Sequence, residues 1–123
     1  NIHIKDPIFG EEKQKVMKES WLNILVSKSE VLSLSILESG LFGLPSLVNE
    51  DIEIKKGLEK TIIFTKPSTI DISKKIEEIS HWTLEKRNLV EIEVINSAKE
   101  ATSINKISNK YNDVYNEIVK NLK

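Results

Sequence analysis

The chain has no cysteine, which removes disulfides and thiolate metal centres and fits a reducing compartment. No apolar run approaches the roughly 18 residues that span a bilayer, and the first residues lack the order of a signal peptide. The cytoplasm is therefore the expected location, and peripheral attachment at the inner face of a membrane stays compatible with it. Charge is balanced: 18 Lys and Arg against 19 Asp and Glu leave a formal net charge of −1. Bulk charge thus gives no reason to expect nucleic acid as a partner. The only histidines, His3 and His81, have no companion at metal-ligand spacing. No glycine-rich dinucleotide loop and no nucleophile–base pair is found. No metal and no cofactor is expected, and there is no internal repeat, low-complexity tract or long linker.

What remains has an ordinary composition, with 39% apolar and 30% charged residues over 123 positions, enough for one domain spanning 1–123. The chain starts inside an alternating Ile2-His3-Ile4, which reads as the continuation of something upstream, so a fragment of a larger protein is expected. Ile2 to Lys5 is predicted as a strand. Glu11 to Ser20 combines helix formers with acids at the front, where the helix dipole favours them. Trp21 to Val26 is a compact apolar run, short enough for a strand buried on both faces. A short helix is predicted from Ser35 to Phe42, with Gly43 in position for a left-handed cap and Pro45 barring continuation. Ser46-Leu47-Val48 and Thr61 to Phe64 read as strands, separated by a turn at Gly57. Such alternation predicts an α/β fold, a Rossmann-like parallel sheet with covering helices.

The second half is helical. Asp71 is placed to cap a helix carrying Ile72, Ile76 and Ile79 on one face. Val90, Val94, Ala98 and Ala101 repeat that spacing. Ser103 opens a last helix whose apolar side is Ile104, Ile107, Tyr111, Val114, Tyr115, Ile118 and Leu122. Both long C-terminal helices are expected to cover the sheet.

The stretch SKSEVLSLSILESGLFGLP, residues 27–45, carries the chemistry. A parallel strand ending at Val26 delivers the chain to the carboxyl edge of the sheet, where open α/β folds bind ligands. Ser27 to Leu34 would line that crevice. The next helix would aim its unpaired N–H groups and partial positive charge at the same place, an arrangement suited to a phosphate or diphosphate. Ser33 and Ser35 add hydroxyls. Glu30 and Glu38, with seven residues between them, could face one pocket, and an ionised carboxylate accepts hydrogen bonds from a sugar diol. Phosphate with polyol describes a nucleotide sugar. Against this, Ser35-Ile36-Leu37-Glu38 also matches a capping box, in which Glu38 merely holds a helix start.

Ser27-Lys28-Ser29-Glu30, the seven residues to Glu38, and Gly43-Leu44-Pro45 together resemble the signature of the family 4 retaining glycosyltransferases of GT-B fold. The resemblance extends over Ile8-Phe9-Gly10, the run Trp21 to Val26, and the closing helix with Tyr111 and Tyr115. It implies that this chain is part of the carboxyl-terminal, donor-binding domain, a truncated and partial nucleotide-sugar-binding Rossmann-like domain. The missing N-terminal domain of the same parent chain would hold the acceptor. By the resemblance Glu30 lies by the donor sugar as the catalytic residue of the site, and Glu38 binds the ribose hydroxyls. Ser29, Leu32, Ser33, Leu34 and Ser35 complete the contacts to the diphosphate and sugar of a uridine or guanosine diphosphate sugar. Where many members have Gly-Phe-Gly this chain has Val31-Leu32-Ser33, and where they have proline it has Val26. The family's basic Arg/Lys pair has no counterpart here, so the isolated fragment is expected to be inactive. The alternative is a non-catalytic flavodoxin-like α/β module with an interaction or regulatory role.

Overall fold

The computed structural model describes residues 2–27, 33–52 and 57–121. Helix α1 (Gly10–Glu19) leads to strand β1 (Asn23–Leu25), helix α2 (Leu34–Leu41) and strand β2 (Ser46–Asn49). A 3-10 turn at Glu59–Thr61 precedes β3 (Ile62–Thr65), after which come α3 (Thr69–Ser80), α4 (Leu84–Ala101) and α5 (Ile104–Asn121). The three strands are parallel in the order β1-β2-β3, with Asn23 opposite Ser46 and Ser46 opposite Ile62. The architecture is α/β: a three-stranded parallel sheet with flanking helices, ending in a long helical arm that bends at Thr102 and Ser103.

Strand β2 is central, and every residue in it is buried. Val48 joins Ile36, Leu58 and Ile62 in the core, with Leu25, Leu37 and Ala101 packed around them. Each such side chain stabilises the fold by about 1.5–3 kcal/mol relative to an exposed one. Helix α2 ends in a Schellman motif: Leu44 N–H donates to the Ser39 carbonyl and Gly43 N–H to the Gly40 carbonyl, both at 3.0 Å. Gly43 has the positive φ of 79° that this closure requires, as its sequence context predicts. The other face of α2 meets α4 so closely that a Cβ on Gly40 would lie 2.9 Å from the Ala98 Cβ.

Four expectations are corrected. Ile2 to Lys5 forms no strand; Ile2 and Ile4 are 94% and 95% exposed, because no neighbouring strand is there to pair with the alternation. The run from Trp21 to Val26 is strand only over Asn23–Leu25 and is not buried on both faces. It is an edge strand, so Trp21, Ile24 and Val26 keep exposed surface. Asp71 does not cap α3: Ser68 has the extended backbone of the cap, and its Oγ accepts from the Asp71 N–H at 3.1 Å while its hydroxyl donates to the Asp71 carboxylate. Asp71 is instead the third residue of the helix, its carboxylate accepting from the capping hydroxyl while the Ser68 N–H donates to the Lys66 carbonyl at 2.8 Å. Finally, α4 buries Val94, Ser97 and Ala98, but α5 buries none of its residues and covers no part of the sheet. Leu122, assigned to its apolar side, lies outside the described residues.

Candidate functional site

Helix α2 starts at the carboxyl edge of the sheet, because it follows β1 and runs back toward the start of β2. Ser33 is its N-cap residue with extended backbone, and its own side chain makes no capping hydrogen bond. Leu34 is the first helical residue and is exposed. Among the described residues no side chain accepts from the first backbone N–H groups of this turn, and a helix start with open N–H groups favours an anion.

Beneath α2 lies a polar cluster that the sequence pattern did not reveal. Asn23, in β1, places its Nδ2 3.3 Å from Ser35 Oγ, 3.3 Å from Ser39 Oγ and 3.0 Å from Ser46 Oγ. The Ser39 and Ser46 hydroxyls are themselves 3.0 Å apart. These bonds join β1, α2 and β2, and they hold α2 over the first two strands. They also fix what Ser35 does: its hydroxyl faces inward to Asn23, and no capping box forms between it and Glu38.

Glu38, in the second turn of α2, is half exposed and accepts from Lys13 Nζ at 2.7 Å. Lys13 belongs to the first turns of α1, so the pair ties α1 to α2 across the surface. An exposed pair of this kind contributes about 0–1 kcal/mol.

Asn49 closes β2 at the same edge. Its Nδ2 donates to the Ser27 carbonyl at 3.3 Å, while its Oδ1 is buried without a hydrogen-bond partner. A buried acceptor left unmade costs about 1–3 kcal/mol. Beside it an open hollow of about 330 Å³ lies between the ends of β2 and β3 and helix α3, with Lys66, Lys74 and Lys75 facing Glu50, Asp71 and Glu78. A smaller hollow of about 110 Å³ sits at the opposite, amino-terminal edge, between Trp21, Gly43, Pro45, Trp82 and Arg87.

Of the residues singled out from sequence, Ser33, Leu34, Ser35 and Glu38 are gathered at the start of α2. Ser29, Glu30 and Leu32 lie outside the described residues. Lys13, Asn23 and Asn49 had not been singled out; Asn23 alone offered a signal, as a polar residue inside an apolar strand. Among the described residues no three His, Asp or Glu side chains gather as metal ligands, and no helix is long and apolar enough to cross a membrane. Comparison with family models, with curated proteins and with solved structures gave no match.

Proposed function

We propose that this chain is the donor-binding part of a retaining glycosyltransferase of the family 4, GT-B type, a Rossmann-like unit that grips a nucleotide sugar at the mouth of β1. The observation that carries the reading is the start of α2, where the Ser33 side chain makes no cap, at the carboxyl edge of a parallel sheet, with Glu38 one turn further on. In this reading the N–H groups after Ser33 meet the diphosphate. Glu38 leaves Lys13 and accepts from the two ribose hydroxyls, and the released ammonium remains near the anionic ligand. Glu30, which lies outside the described residues, takes its place by the sugar from the resemblance alone. The acceptor site belongs to the N-terminal domain of the parent chain, so donor binding without transfer is the expected behaviour of these 123 residues. No cofactor is required.

The test is an amide-resolved titration with uridine diphosphate and with guanosine diphosphate. Shifts centred on Ser33, Leu34 and Glu38, and weaker binding in Glu38→Gln, are the expected result. Shifts confined to other regions, or none at millimolar nucleotide, reject the reading and leave the non-catalytic flavodoxin-like module.

A further inference from the structure

Helix α5 carries an apolar stripe that none of the described residues buries. Its members range from 39% exposed at Ile107 to 81% at Ile104, and Tyr111, Val114, Tyr115 and Ile118 lie between. Over 18 residues the helix is about 27 Å long. Asn105, Asn109, Asn112, Asn116 and Asn121 are poor helix formers, so propensity alone does not hold it together. A helix of this length is marginal in water without packing. At its near end, Ile107 and Tyr111 line an open groove of about 490 Å³ together with Gly57 and Ala101.

The spacing identifies the occupant. Ile104, Tyr111 and Ile118 recur every seven residues, with Ile107 and Val114 offset by three, the heptad of a two-helix seam. Lys110 and Glu117 fall at the same heptad position on the flank of that seam. In a parallel pair they would face Tyr115 and position 122. In an antiparallel pair the flank faces its own counterpart, so Lys110 of each copy faces Glu117 of the other. That alignment sets Tyr111 against Val114 and Ile107 against Ile118, large beside small and branched beside branched. A slip of one heptad either way places Lys110 on Lys110 or Glu117 on Glu117. Of these three registers only the first is charge-matched, and its end layer sets Ile104 against Asn121.

We propose that α5 is a self-association surface on which two copies of this chain pair antiparallel, held by the Ile107, Tyr111, Val114 and Ile118 seam and registered by Lys110 and Glu117. The proposal rests on the helix alone and stands apart from nucleotide binding.

Sedimentation equilibrium of the 123-residue chain tests it. The expected mass rises from 14.1 kDa toward twice that value through the micromolar range. Lys110→Glu alone and Glu117→Lys alone turn both flanking pairs repulsive, and each is expected to weaken the dimer by about tenfold. Mixing the two variants, or combining both changes in one chain, is expected to restore it. Both sites are on an exposed helix face, and far-UV circular dichroism checks that the variants keep their fold. A chain that stays at 14.1 kDa up to about 100 μM overturns the proposal, including one that binds anionic vesicles instead. A dimer indifferent to the charge reversals overturns it as well.

Discussion

The Arg87 guanidinium carbon lies 3.5 Å from the centre of the Trp21 ring. The same group donates through Nε to the Trp82 carbonyl at 3.1 Å and through Nη2 to the Ser80 carbonyl at 3.0 Å. One side chain of α4 therefore satisfies orphan carbonyls at the end of α3 and covers the indole that leads into β1. Arg87→Ala is expected to lower the unfolding free energy by about 1–3 kcal/mol, from two charge-assisted bonds and the ring contact. Arg87→Lys keeps the charge without the planar fork and should recover less than half of the loss. Urea denaturation followed by tryptophan fluorescence reads both, and wild-type stability in Arg87→Ala would show the contact to be idle.

Gly43 and Gly40 are both needed, for different reasons. At Gly43 the positive φ of 79° alone costs an L-residue about 1–2 kcal/mol, and a Cβ there would also meet Glu91 Cγ at 2.4 Å. Glu91 is an exposed side chain that is able to swing aside, so the backbone term dominates. Gly43→Ala should therefore be rescued only slightly by Glu91→Ala, and Gly43→Asn should cost less than Gly43→Ala. At Gly40 the backbone is ordinary helix and the obstacle is the Ala98 Cβ. Gly40→Ala should then be rescued substantially by Ala98→Gly. Thermal melts of the two double-mutant cycles distinguish the cases.

The difference between these glycines illustrates what was legible beforehand. Gly43 followed by Leu-Pro states its cap in local sequence, the spacing of Val90, Val94 and Ala98 states its helix, and both elements are where the pattern puts them, whereas the cap of α3 sits at Ser68, three residues before the expected Asp71. Gly40 declares nothing locally, because its constraint comes from α4, far along the chain. The same holds for burial. Trp21 to Val26 reads as a core strand by hydropathy, but its exposure is decided by its place at the sheet edge. Ile104 to Ile118 has an amphipathic pattern that states only that it wants a partner, not that the sheet supplies one. At the candidate site, the helix start and Glu38 were visible. Lys13 was not, since 25 residues separate it from the carboxylate it holds.

Acid should break two exposed ion pairs. The Glu78 carboxyl is held below its ordinary value of 4.5, chiefly by the hydrogen bond from Lys75 and then by its charge. Lys106 does the same for Glu100. A carboxyl depressed in the folded state adds stability above the ordinary value and loses it as pH falls through the folded one. The contribution of both pairs is thus complete above about pH 4.5 and fades in the acid range below it. Carboxyl chemical shifts followed against pH should show Lys75→Ala raising the Glu78 midpoint toward 4.5 with Glu100 unmoved, and Lys106→Ala the converse. Equal movement of both groups in either variant would mean a general charge effect and not these pairs.

Asn23 is the residue whose loss should be felt furthest. Its Nδ2 is the shared donor for Ser35, Ser39 and Ser46, the last two of them almost completely buried. Asn23→Ala leaves buried hydroxyls with fewer partners and opens space under α2, which should cost about 1–3 kcal/mol. Ser46→Ala alone should cost less, because Ser39 keeps its bond to the Ile36 carbonyl at 3.1 Å. Since the groups act as one network, Asn23→Ala with Ser46→Ala should cost clearly less than the two separate losses added. Hydrogen exchange gives the sharper reading: protection in α2 should fall in Asn23→Ala while β3 and α4 keep theirs. If the double variant is additive and α2 exchanges as in the wild type, the helix is held by Ile36 and its apolar neighbours, and the polar cluster is only tolerated there.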